Sequence, residues 1–252
     1  MLQPPDTRLH PIAAFRALRG LLRNREDTRQ AILLVDALRG ETTLRQFDRF
    51  RETATGRTML AERRSLLSRL QDRADLAQLP SGSLGRAYYD FMSSENLSAD
   101  GLVEASRGAV RPTADEITWF RERNREMHDL LHVTAGYGRD PLGEACVLAF
   151  SYAQMGQRGF AVIASVVALR IARKLREPRI LRAVYEAYRQ GGRADWVVGA
   201  DWENLLEQPL DAVRRQFNVS PTVQYVLVLP KLQRALAATP NVLPQAGAQL
   251  SM

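Results

Sequence analysis

Residues 128–144 read HDLLHVTAGYGRDPLGE, and their punctuation decides the fold. Gly136 stands where a helix closes in a left-handed cap, Asp140 is an N-cap acceptor, and Pro141 suits the first helical position. The stretch predicts a helix, a Gly-Tyr-Gly turn and a second helix returning antiparallel. Upstream, Thr113-Ala-Asp-Glu116 has the form of a capping box, so the first helix is expected to start there and run through both histidines to Gly136. Downstream, residues 160–169 (FAVIASVVAL) fall short of the roughly 20 apolar residues a membrane-spanning helix needs and read as part of a core helix over 159–176.

Working outward, the same 3.6-residue period recurs. Ile12, Phe15, Leu18 and Leu22 share one side of a first helix, residues 31–38 begin a second stopped by Gly40, and Leu44, Phe47 and Phe50 mark a third. A segment with Gly56 and Arg57 leads into a fourth around Leu66, Leu67 and Leu70. After the turn LPSG, Leu84, Tyr88, Phe91 and Met92 fall on one face of a short helix. Residues 178–188 form another, closed by Gly191 and Gly192, and Leu210, Val213 and Phe217 end the compact part. Only residues 223–229 alternate in strand fashion. The expected fold is all-α, a single-domain multi-helix bundle over residues 1–220. A C-terminal extension, 221–252, follows, with a loose Pro/Gly/Ala/Gln-rich end.

A hydrophobic content of 45% with 25% charged residues is a globular balance, and the chain carries neither a leader pattern nor a spanning segment, so it is expected to stay in the cytoplasm. One cysteine, Cys146, rules out an internal disulfide and a thiolate-rich zinc site, which leaves histidine and carboxylate as metal ligands. The net charge of +7 comes almost wholly from arginine, Lys174 and Lys231 being the only lysines. The arginines are spread out, with no run of five like charges, and no nucleic-acid motif accompanies them, so they read as a solvated surface.

At about 100° per residue, His128 and His132 lie about 40° apart on the helix and Asp129 about 60° beyond His132. Asn124, Phe120 and Ile117 continue the same face backward, so the imidazoles point inward and need a partner. A divalent cation supplies one: histidines at i and i+4 bind it from one helix, and a carboxylate from a neighbouring element completes the site. Glu144 is placed to do so, because the Gly136-Tyr-Gly138 turn brings the next helix start back beside the histidines. The competing reading is that Glu144 only complements the dipole of its own helix. Asp129 stands where HExxH metallopeptidases have their glutamate base, one methylene shorter, which argues against peptidase chemistry. HD-type phosphohydrolases need further histidines and aspartates from distant helices, and only His10 remains.

The pattern HDxxH, eleven residues, then Glu resembles the signature of the ubiquinone (coenzyme Q) biosynthesis protein family of the Coq-four type. LPSGSLGRAYYDFMSSENLSADGL at 79–102 is similar to that family's Leu-Pro-x-Gly-Thr-Leu-Gly segment, with Ser83 where threonine is common. Residues 186–219 resemble its C-terminal block through Asp201-Trp202-Glu203 and Pro209-Leu210, and weaker similarity extends the likeness over about residues 10–220. The resemblance implies a helical protein at a membrane surface that holds a divalent metal, zinc by expectation, through His128, Asp129, His132 and Glu144. It implies action on polyprenylated ring intermediates, with loss of the C1 carboxylate of a 4-hydroxy-3-methoxy-5-polyprenylbenzoate coupled to oxidation at C1. The alternative is a non-catalytic scaffold for the other ubiquinone biosynthesis enzymes.

Chemically, a carboxylate leaves an aromatic carbon only if that carbon is first protonated or oxygenated, and a para phenolate pushes electron density there. Asp129 and Glu144 are the candidate proton carriers. A polyprenyl or quinone-type lipid needs an apolar groove or channel, for which Leu84, Tyr88, Phe91, Phe160, Ile163 and Val167 are candidates; mutual packing is the other account of them. Phe15, Leu18 and Leu22 interleaved with Arg16, Arg19 and Arg23 suit either an anionic leaflet or an ordinary surface helix. The expected setting is cytoplasmic, peripheral to the inner face of the cell membrane, with a homodimer as a further expectation.

Overall fold

The structure, a computed structural model, describes residues 7–23, 28–94 and 115–238. Regular structure in those residues is helical, with no strand among them. α1 (Pro11–Arg23) and α2 (Thr28–Ala37) form a hairpin. α3 (Thr42–Glu52) and α4 (Ala54–Glu62) meet at a corner where Thr53 Oγ1 accepts from Gly56 N at 2.9 Å. α5 (Leu66–Gln71) and α6 (Arg73–Gln78) follow, capped by Ser65 and Asp72. The fourth helix expected around Leu66, Leu67 and Leu70 is α5, started by the Ser65 side chain accepting from Ser68 N, and the segment with Gly56 that leads into it is a helix of its own, α4.

α7 (Leu84–Ser94) begins at Ser83, whose Oγ accepts from Arg86 N at 3.2 Å, so serine fills the capping role as threonine would. Its leading turn is locked to the C-terminal block: Leu84 N donates to Gln208 O at 2.9 Å, Gly85 N to Leu206 O at 2.8 Å, and Leu210 N to Gly82 O at 2.8 Å. The two segments that carry the family resemblance outside the histidine motif are one backbone junction.

α8 (Asp115–Glu126) and α9 (His128–Ala135) replace the single helix expected up to Gly136; the chain breaks for one residue at Met127, between hydrogen bonds that remain helical on either side. Thr113, the expected cap, lies outside the described residues. α10 (Pro141–Met155) is apolar nearly all round and therefore central, with α11 (Arg158–Leu175) and α12 (Arg179–Arg193) packed on it. Gly191 does not close α12 as expected. It lies within the helix, where a Cβ would stand 2.5 Å from the Phe150 carbonyl oxygen, so its role is close approach to α10.

After a short 3₁₀ turn (Val197–Gly199), α13 (Trp202–Leu205) and α14 (Leu210–Gln216) complete the C-terminal block. Glu203 and Arg123 form a buried two-point ion pair, with both N–O distances 2.6 Å. Residues 223–229 are not strand: α15 (Gln224–Ala237) buries Tyr225, Val228 and Leu232 against the main core. Those positions are spaced i, i+3 and i+7, which is the helical period. The extension past residue 220 therefore contributes a helix to the packed body; its end beyond Ala238 lies outside the described residues. A separate, smaller cluster joins Ala14 and Ala17 of α1, Leu34 and Ala37 of α2, and Ile163 of α11. No helix among the described residues is long and apolar enough to cross a membrane.

Candidate metal centre

The turn between α9 and α10 builds the site. Gly136 (φ +77°) caps α9, its N–H and that of Tyr137 both donating to His132 O at 2.9 and 3.0 Å. Asp140 Oδ1 accepts from Leu142 N and Gly143 N, each at 3.0 Å, and starts α10. Gly143 packs onto the Gly138 peptide so closely that a Cβ would lie 1.9 Å from its carbonyl oxygen. Tyr225 of α15 pins the turn from outside: its hydroxyl accepts from Gly138 N at 3.0 Å and donates to Asp140. Arg214 of α14 donates to the Val133 and Thr134 carbonyls at 3.0 Å each, satisfying the open end of α9.

These constraints bring the predicted residues together. His128 Nε2 and His132 Nε2 are 3.3 Å apart, and each is 3.4 Å from Glu144 Oε2. Donors held at about 2.0–2.1 Å in a tetrahedral shell lie about 3.3 Å from one another, so this triangle has the edge length a zinc-type ion requires. His132 is wholly buried, and its Nδ1 lies 3.1 Å from both the Tyr137 and Gly138 carbonyl oxygens. Carbonyls only accept, so Nδ1 carries a proton, and in the neutral ring Nε2 is the atom whose lone pair is free for a cation. Asp129 also stands close, within a group in which one ligand atom each of His128, Asp129 and His132 lies within 4.8 Å of the others. The donor set fits a divalent cation.

Burial opposes charge at Glu144, but His132 and His128, through charge and hydrogen bonds, outweigh it and hold the carboxyl well below its usual range. Burial likewise opposes the His132 imidazolium, and Glu144, Asp129 and the Tyr137 carbonyl raise its pKa despite it. Sequence reasoning missed Arg139, whose guanidinium lies 3.7 Å from Asp129 Oδ1 and 3.8 Å from Glu144 Oε1. Its position within the turn, three residues past Gly136, was the available signal.

His128 and Glu144 open onto a cavity of about 290 Å³ walled by α2, α3, α8, α10 and α11. Of the candidate lipid contacts, Phe160 and Ile163 line it. Leu84 and Tyr88 do not: α7 is wedged against α6 and α9, and both residues are spent in the main core. Phe91 stacks on the His132 ring at 5.6 Å, and Val167 packs between the two hydrophobic clusters. Trp202 is likewise a core residue.

Residues 12–222 match the family model described as coenzyme Q (ubiquinone) biosynthesis protein Coq4. The mitochondrial ubiquinone biosynthesis protein COQ4 homologue of Danio rerio is 32% identical over 188 residues, covering 73% of this chain and 68% of the relative. That of Bos taurus is 30% identical over 190 residues, covering 73% and 70%. A crystal structure of a Nostoc punctiforme protein provisionally assigned to ubiquinone biosynthesis shares the fold, with TM-score 0.63 over 84% of this chain and 97% of that one, at 21% identity. The His128, His132 and Glu144 triangle thus sits in a chain that belongs to the Coq4 family of coenzyme Q (ubiquinone) biosynthesis proteins.

Proposed function

We propose that this protein is a metal-dependent decarboxylase that removes the C1 carboxylate of a 4-hydroxy-3-methoxy-5-polyprenylbenzoate. The observation that carries the reading is the 3.3–3.4 Å donor triangle opening into an apolar cavity. His128, His132 and Glu144 would hold the cation. A divalent ion, zinc by preference, supplies Lewis acidity toward a ring oxygen.

Glu144 remains ionised and serves as a ligand. Asp129, on the adjacent position of α9, accepts the proton of the ring hydroxyl as it ionises. The para phenolate then raises electron density at C1, a proton adds there, and carbon dioxide leaves, so that ArCO₂⁻ and H⁺ give ArH and CO₂. Where the loss is coupled to oxidation, the 4-hydroxybenzoic acid ring and one dioxygen give the 1,4-quinone, carbon dioxide and water. Phe160 and Ile163 offer apolar surface for the tail. The setting is peripheral, at the inner face of a membrane from which a polyprenyl lipid is delivered.

A second reading, a scaffold for other biosynthetic enzymes or a dimer, draws on exposed apolar residues: Leu181, Tyr185 and Tyr188 on α12, with Val226 and Leu227 on α15. The test is His132→Ala, measured by elemental analysis, mass spectrometry of co-purified lipid and ring decarboxylation. We expect metal and activity to be lost while lipid and helical content remain. Quinone synthesis that survives combined loss of His128, Asp129, His132 and Glu144 would overturn the enzymatic reading.

A further inference from the structure

The cavity wall carries a charged group that the metal cluster does not use. Arg39 and Arg121 both reach one oxygen of Asp36, at 3.2 and 3.4 Å, and all three residues line the cavity. Two guanidiniums therefore share a single carboxylate. That 3.4 Å contact is the only polar partner of Arg121 among the described residues, although its side chain is only 17% exposed. Burial first, then the neighbouring Arg39 and Arg125 charges, lowers the Arg121 pKa to about 10 against the pull of Asp36, as expected of a cation short of counter-charge.

Its position relates it to the metal centre. Arg121 precedes His128 by two turns, about 10 Å along the helical path and on nearly the same face. Asn124 Oδ1, between them on α8, and Ser151 Oγ, on α10, are buried in the cavity wall without a hydrogen-bond partner among the described residues. Leu148, one turn past Glu144 on α10, supplies apolar surface beside them, and Leu131, one turn past His128, lines the metal end of the cavity.

We propose that Arg121, assisted by Arg39, is a carboxylate subsite that selects an aryl carboxylate lying across the cavity. The carboxylate meets the guanidinium fork, the ring rests on Leu148, and the para oxygen faces His128 and Glu144. Asn124 and Ser151 are left to meet ring substituents that hydrogen-bond. This rests on the ring-substrate reading above and adds to it a discrimination between substrate and product, since loss of carbon dioxide removes the anion that Arg121 holds. An ion pair that merely ties α8 to α2 would need one cation, not two, and no polar atoms left open beside it.

The test is equilibrium binding of 3-farnesyl-4-hydroxybenzoate and of the neutral 2-farnesylphenol to the full zinc-treated chain. Wild type should favour the acid by about tenfold, and Arg121→Gln should bring the ratio near one with phenol affinity little changed. Asp36→Asn removes the competing carboxylate and should tighten acid binding, which a purely structural pair would not do. Wild type without a preference, Arg121→Gln that keeps it, or Asp36→Asn that weakens both ligands alike would overturn the proposal. Should Arg121→Gln fail to fold, Arg39→Gln and Arg121→Lys carry the same comparison. Binding is read without turnover: acid preference in a chain that never decarboxylates sinks the enzymatic reading alone, and an active chain indifferent to Arg121→Gln sinks the subsite alone.

Discussion

Gly143→Ala asks whether the turn, and not the ligand set alone, makes the metal centre. A Cβ at this position would meet Gly138 O at 1.9 Å and its carbonyl carbon at 2.7 Å. Restoring ordinary contact requires the first turn of α10 and the Gly138 peptide to part by about 1.5 Å. Glu144 is the next residue and moves with that turn, whereas coordination distances tolerate only about 0.2 Å. The expected loss is about 10–100-fold in zinc affinity, the range seen when support for a ligand is removed. Overpacking adds about 1–3 kcal/mol of destabilisation, or roughly 2–12 °C in Tm for a chain of this size. Zinc affinity would be measured by chelator competition and folding by circular dichroism. Gly192→Ala in α12, where nothing lies within 4 Å of the added methyl, is the control: unchanged zinc affinity and up to about 1 kcal/mol of added helix stability. A Gly143→Ala protein that binds zinc within about threefold of wild type would refute the argument.

Two further outcomes follow from buried polar contacts. Glu203→Gln leaves the Arg123 guanidinium, 2% exposed, without its counter-charge and should cost about 3–5 kcal/mol in urea unfolding, whereas the double change Arg123→Met, Glu203→Leu should come out far closer to wild type. Tyr225→Phe strips a partner from both Gly138 N–H and Asp140, and should lower stability by about 1–3 kcal/mol and weaken zinc binding, although Tyr225 lies outside the ligand set. An unchanged melting temperature would count against the pinning role.

Local signals carried well from sequence to structure. Asp140, Pro141 and Gly136 are cap residues whose effect depends on neighbours within a turn, so α9, the reversal and α10 could be read directly, and with them the convergence of His128, His132 and Glu144. What depends on tertiary packing could not. The strand-like alternation at 223–229 yielded to helix because Tyr225, Val228 and Leu232 bury together. Gly191 looked like a stop, but its lack of a side chain serves the α10–α12 approach. Leu84 and Tyr88 sit on the apolar face the spacing predicts, yet that face meets core instead of cavity. Arg214, Arg121 and Asp36 reach the site across 80 or 85 residues of chain, a pairing no local pattern encodes.

The Arg139 guanidinium lying between Asp129 and Glu144 fixes the electroneutrality of the centre. Two carboxylates and one guanidinium leave a deficit of one unit, and a bound dication would turn that into a surplus of one. An oxyanion arriving on the ring would cancel the surplus; a neutral ring would not. The residue that bridges the two acids would then bias the pocket toward the ionised form of an aryl guest, before any ligand atom has been contacted.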